Sequence, residues 1–116
     1  METKDQKTLE KYRLRYQQLK EELQSLGFVC VGSLQTRRME CGKKECRCHE
    51  AAENRHGPYH YRMRKVQGRT VAAQLHGEDV TLYREWIKNN RRLAQTVREM
   101  RKVSARVLAL QTGKKR

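Results

Sequence analysis

Cys41, Cys46 and Cys48 stand in the pattern C-x4-C-x-C, and His49, His56 and His60 follow closely behind them. Thiolates and imidazoles are the preferred ligands of zinc, which takes four in a tetrahedron. Cys41, Cys46, Cys48 and one histidine would complete a Cys3His set. His56 is the expected fourth ligand. It opens the run His56-Gly57-Pro58, where glycine and proline fix a bend able to bring a side chain back to the cysteine loop. His49 directly adjoins Cys48, and adjacent residues rarely both turn onto one ion. His60 falls on an expected strand. Cys30 lies among apolar residues and reads as a small core residue.

Other chemistries compete for the same cluster. A disulfide pair is one, although Cys46 and Cys48 are too close in sequence to bridge without strain. A nucleophilic cysteine is another; histidine is at hand, but no third orienting group is evident. Catalytic zinc of the deaminase kind needs H-x-E followed by P-C-x-x-C, which this spacing does not provide. There is no spaced carboxylate pair for a hydrolase and no glycine-rich phosphate loop. A structural Zn2+ and a non-enzymatic protein are therefore expected. A thin-core domain gains folding energy directly from such a site.

The chain needs that gain. Only 36% of its 116 residues are hydrophobic, and mean hydropathy is -1.05, so its core is thin. Lysine and arginine total 27 against 13 acids, a formal net charge of +14, with a pI of about 10.1. Self-repulsion at that charge opposes folding, and a polyanionic partner relieves it. Nucleic acid is the commonest such partner. No apolar run approaches the ~20 residues of a membrane span, so no membrane association is expected. The N-terminus lacks the apolar core of a signal peptide. A cytoplasmic protein is expected, nucleoid-associated if it binds DNA, and in that compartment clustered thiols stay reduced.

The elements that must position the cluster are legible on either side of it. Leu9, Tyr12, Tyr16, Leu19, Leu23 and Leu26 step by threes and fours, which predicts a helix over 5–26 with a narrow, coiled-coil-like apolar seam. Asp5 is the expected N-cap and Gly27 the expected stop. A second, longer helix is expected over 78–110, opened by Glu78 and Asp79. Its apolar stripe is Leu82, Trp86, Leu93, Val97, Met100, Val103, Val107 and Leu110. Paired antiparallel, the longer helix overhangs, and the overhang predicts a homodimer or a larger protein partner. Between the helices, 28–37 and 59–66 read as strands. So does the run from Arg69, which follows a turn at Gln67-Gly68. Tyr59, Tyr61 and Met63 alternate with His60, Arg62 and Arg64; the tyrosine face is expected on the helices and the basic face outward. The fold class is thus α+β in the order αβββα, with a zinc-stapled three-stranded antiparallel sheet. The expected organisation is a single zinc-containing domain over 1–110 with an unstructured basic tail at 111–116.

Gly32-Ser33-Leu34, Cys41-Gly42 through Cys48, His56-Gly57-Pro58-Tyr59-His60-Tyr61, Gly68-Arg69-Thr70 and the helix around Leu82 to Leu93 together resemble a family of small prokaryotic domains of unknown function. Its members show GSL, an arginine, CG-x3-C-x-C, HGP-Y-x-Y, a G-K/R-T turn and a long helix in that order. The resemblance covers the chain from about Leu26 into the C-terminal helix. It implies Cys41, Cys46, Cys48 and His56 as a common metal set, with Gly57, Pro58, Tyr59 and Tyr61 beside it. His49 and His60 depart from the family's usual residues. Members often occur with mobile elements, which implies a role linked to nucleic acid.

Arg37, Arg38, Lys43, Lys44, Arg47, Arg55, His60, Arg62, Arg64, Lys65 and Arg69 are the expected nucleic-acid contacts, on the zinc loop and the sheet. A rigid basic loop beside a strand of alternating arginines could follow a phosphate backbone and reach base edges. Tyr59, Tyr61 and His60 could instead stack on single-stranded bases, or the tyrosines could be core. A second basic series, from Lys88 to Arg106, extends that surface or merely solvates the long helix. The expected function is a small zinc protein that binds nucleic acid, duplex DNA favoured over RNA, as an accessory factor of a mobile element or a regulator. The rival is an adaptor docking a larger protein or ribonucleoprotein through its helices.

Overall fold

The computed structural model describes residues 3–113. The chain runs α1 (Lys4–Ser25), β1 (Ser33–Met39), β2 (His56–Val66), β3 (Arg69–Leu75) and α2 (Glu78–Thr112). Two short 3-10 turns, Arg47–His49 and Ala52–Asn54, lie in the loop between β1 and β2. This is the expected αβββα order. The contacts divide into two compact units, one made by residues up to Val29 with those from Lys88 onward, the other by 30–87.

In the first unit α1 lies antiparallel to the later part of α2. Tyr12 and Tyr16 share an apolar groove with Val103 and Val107, and Arg15 pairs with Glu99 at 3.0 Å. Asn89 donates from Nδ2 to the Phe28 carbonyl at 2.9 Å. The seam is buried deepest at Leu19 and at Thr96, which are 0% and 3% exposed. Thr96 completes the stripe between Leu93 and Val97, where a periodicity of apolar residues leaves a gap. Both ends of α1 differ from expectation. Thr3 is the N-cap; its hydroxyl accepts from the Gln6 N–H while the Gln6 amide accepts from the Thr3 N–H, a reciprocal capping box. Asp5 sits instead in the first turn. The helix stops at Leu26, which is extended and donates to the Leu23 carbonyl, rather than at Gly27. α2 runs on through Thr112, so Gln111 and Thr112 of the expected tail are helical; 114–116 lie outside the described residues.

In the second unit the sheet is antiparallel throughout, in the order β1-β2-β3. Gln67 and Gly68 both take positive φ, the two-residue turn whose twist suits a hairpin. β1 begins later than expected, at Ser33, because 30–32 runs along the start of α2 instead of along a strand. The Cys30 N–H donates to the Trp86 carbonyl at 3.1 Å, and the Tyr83 hydroxyl donates to the Val31 carbonyl at 2.9 Å. Gly32 makes this crossing possible. Its φ is +110, and a Cβ there would overlap the Met63 carbonyl and the Tyr83 hydroxyl. The buried side chains of α2's first turns are Val80, Tyr83 and Ile87, whereas Leu82 is 43% exposed. The stripe is therefore offset from the expected one at this end.

The expected orientation of the sheet is reversed. Cross-strand pairing puts Leu34, Arg62 and Ala73 on one face and Gln35, Tyr61 and Gln74 on the other. Arg62 turns toward α2, its guanidinium 5.3 Å from the centre of the Tyr83 ring. It shares a small cavity there with Cys30, Leu75 and Trp86. The tyrosine face looks instead toward the cysteine loop. An arginine can take the inner position because its three methylenes pack as an apolar stem and its planar head stacks on an aromatic ring.

Candidate metal centre and the surface around it

The loop 40–55 is clasped at its base by the sheet. Met39, the last residue of β1, pairs with His56, the first of β2. The side chain of His56 thus projects from the root of the loop that carries the three cysteines. Within the loop the chain turns tightly. The Cys46 N–H donates to the Lys43 carbonyl, and the His49 N–H to the Cys46 carbonyl, both at 3.2 Å. Gly57 follows His56 with φ +118, in a position where a Cβ would lie 2.8 Å from the Arg37 carbonyl oxygen.

The four expected ligands come together. The ligand atoms of Cys41, Cys46, Cys48 and His56 all lie within 4.8 Å of one another. Cys48 Sγ is 3.7 Å from Cys41 Sγ, and Cys46 Sγ is 3.3 Å from His56 Nε2. An ion held by thiolates at about 2.3 Å and imidazole at about 2.0 Å has ligand atoms roughly 3.5–3.8 Å apart in a tetrahedron. The cluster is already near those dimensions. All four cysteines are free thiols, which removes the disulfide alternative. The group is thus suited to a metal ion.

The electrostatics follow from the packing. The backbone N–H of Cys48, with help from the His56 ring and the neighbouring sulfurs, draws the Cys46 thiol down from 9.0 to about 6. Burial pushes Cys48, only 1% exposed, up to about 11, although the Cys41 N–H donates to its sulfur at 3.3 Å. Two sulfurs in one site thus differ widely in acidity, and a cation is what would let all of them ionise together.

His49 takes no part in the cluster. Its Nε2 lies 2.8 Å from the Lys43 carbonyl and its Nδ1 lies 3.1 Å from the Glu40 carboxylate. Both neighbours are acceptors, so the ring serves best as a doubly protonated brace across the loop. Burial favours its neutral form, but the Glu40 carboxylate and the backbone of Lys43 and Cys41 together outweigh that, and its pKa moves up from 6.5.

A family model matches residues 9–85. This chain belongs to the family described as Domain of unknown function (DUF6788). The matched span contains all four clustered ligands, the whole sheet and the turns of α2 that carry Val80 and Tyr83. No curated protein and no solved structure matches the chain.

The expected basic contacts fall into three groups. Arg37, Arg38, Lys43, Lys44, Arg47 and Arg55 are all exposed on the loop or on β1 beside it. Arg64, Lys65 and Arg69 are exposed at the far end of the β2–β3 hairpin. His60 and Arg62 lie on the other sheet face, His60 with its Nδ1 2.9 Å from the Thr36 hydroxyl. Among the described residues Arg15 is the one lysine or arginine in an ion pair. The loop 40–55 balances its four bases with Glu40, Glu45, Glu50 and Glu53, whereas 56–75, with Arg64, Lys65 and Arg69, holds no acid.

An open groove of about 630 Å³ separates the loop from the sheet. Tyr59, Tyr61 and Gln74 line it on the sheet side; Cys41, Lys43 and Cys46 line it on the loop side. Gln74, Met39 at the end of β1 and the loop's Glu40 are residues that sequence patterning misses. Only the strand register brings Gln74 opposite Tyr61.

Proposed function

We propose that this protein binds nucleic acid, duplex DNA in preference to RNA, with a structural Zn2+ at Cys41, Cys46, Cys48 and His56. The observation that carries the reading is the one-signed charge of the sheet: β1, β2 and β3 hold Arg37, Arg38, Arg62, Arg64, Lys65 and Arg69 and no aspartate or glutamate. All of these but Arg62 are exposed, and exposed cations with no acids between them suit the phosphates of a nucleic acid. Zinc is the ion favoured by three thiolates and one imidazole, and four protein ligands leave no open position for chemistry.

The test is fluorescence anisotropy of the zinc-loaded protein against duplex DNA, single-stranded DNA and duplex RNA across a salt series. Duplex DNA binding should weaken steeply with salt, with a log–log slope near -0.9 per phosphate contacted. Lys43→Ala and Lys65→Ala should each reduce the slope by about one contact. Salt-independent or equally weak binding to all three would overturn the reading.

A second reading rests on the helix pair. Leu14 and Leu108 are each 63% exposed, and such side chains favour an adaptor that docks a larger protein. An adaptor of that kind would bind nucleic acid weakly alone and would lose its partner, not its salt slope, on Leu108→Glu.

A further inference from the structure

The groove between the cysteine loop and the sheet has two tyrosine rings on its sheet side and a lysine on its loop side. Tyr59 and Tyr61 are both half-buried, leaving part of each ring open to the groove. Arg37 lies across Tyr61, its guanidinium 5.1 Å from the ring centre. Gln35 holds it there, accepting from Nη2 at 2.6 Å. The result is a cationic shelf fixed in place before any ligand arrives. Gln74 offers an amide able both to donate and to accept. Lys43 stands at the opposite lip. The volume falls in the range of roughly 300–1,000 Å³ typical of ligand clefts.

We infer that this groove takes an unpaired nucleobase, stacked on Tyr59 and Tyr61, with its flanking phosphates on Arg37 and Lys43. Stacking is indifferent to base identity, since every base has a π face, while the arginine plane and the lysine supply the charge match. Gln74 meets the base edge. A duplex carrying a bulge, a flipped base or a single-strand junction offers this group, and an intact duplex does not. The inference rests on the nucleic-acid reading above and narrows it: the exposed cations of the sheet hold the duplex, and the groove selects a site where one base has left the stack.

The experiment compares a perfect duplex with the same duplex carrying one unpaired 2-aminopurine, bound by the zinc-loaded protein. The bulged duplex should bind about tenfold tighter or more, and its 2-aminopurine fluorescence should change on stacking. Tyr61→Leu and Tyr59→Leu retain apolar bulk and should abolish both the preference and the fluorescence change. Tyr61→Phe should keep both. Zinc content of each variant, expected unchanged, separates loss of the groove from loss of the fold. Equal affinity for the two duplexes, with the salt slope intact, would overturn the base-binding inference and leave the duplex reading standing. No binding to either would overturn both.

Discussion

The guanidinium of Arg62 lies 5.3 Å from the centre of the Tyr83 ring, and its Nε is buried without a hydrogen-bond partner among the described residues. A cation on the inner face of a small sheet is unusual, because an unpartnered buried polar atom costs about 1–3 kcal/mol. Cation–π attraction of roughly 1–2 kcal/mol offsets much of that. Tyr83 is itself 4% exposed and held by its hydroxyl to Val31. The pair thus ties the sheet to α2 through an aliphatic stem and one ring face.

Arg62→Met should therefore be close to neutral, within about 1 kcal/mol, since a thioether keeps the stem and its contact with the ring without the unpartnered atom. Arg62→Ala should cost more, by about 1–2 kcal/mol, through lost packing. Urea unfolding followed by circular dichroism measures both. A Met variant as damaged as the Ala variant would mean that the charge itself is required.

Gly32→Ala should destabilise the protein by about 2 kcal/mol or more, because a left-handed backbone and two overlaps coincide at one Cβ. The damage should be seen as a lower urea midpoint with far-UV circular dichroism preserved. A midpoint within about 0.5 kcal/mol of the parent would show that 30–32 can leave α2 freely.

Metal removal should be the largest single perturbation. Binding free energy at a structural site is folding free energy, about 10–16 kcal/mol in zinc-finger peptides. Chelation should release one ion per chain by mass spectrometry, and the metal-free protein, like Cys46→Ser, should melt well below the loaded one while the loop 40–55 stays folded at room temperature. Co2+ substituted into the parent should give the visible absorption of a tetrahedral thiolate site. A Cys46→Ser protein that carries no metal yet melts as the parent does would rule out a structural ion.

In the metal-free protein the thiols should react in a fixed order. Cys46, drawn down to about 6, is thiolate near neutral pH, while Cys48, pushed up to about 11, stays protonated and is buried. Iodoacetamide at about pH 7 should label Cys46 at least about tenfold faster than Cys48, by peptide mass spectrometry. The sign for stability follows. The folded value of Cys46 is below its unfolded value of 9.0, so its contribution is fully present above about pH 9 and is lost as pH falls through about 6. Cys48 runs oppositely: its contribution is present below about pH 9 and is lost as pH rises through about 11. Equal labelling of the two would show that the loop opens without metal.

Much of the architecture is legible locally. The threes and fours of Leu9 to Leu26 and of Leu93 to Leu110 mark helices that bury one face. Gln67-Gly68 makes a hairpin turn, whereas His56-Gly57-Pro58, expected as a bend, is the start of β2. The details that escape are settled by competition. Thr3 outcompetes Asp5 as the cap because Gln6 can reciprocate. Phe28 to Val31 has strand propensity, yet the carbonyl of Trp86 and the hydroxyl of Tyr83 claim the backbone of 30–32 before a neighbouring strand can.

The ligand group of Cys41, Cys46, Cys48 and His56, the excess of positive charge and the order of elements follow from the sequence by itself. Each depends on residue type and short spacing, and these act before the chain has folded. Which face of β2 turns inward depends on the tertiary structure alone. A period of two places tyrosines on one side and arginines on the other, but it carries no sign. Tyr83 decides it, by offering Arg62 a ring to lie on and leaving Tyr59 and Tyr61 to face the cysteine loop.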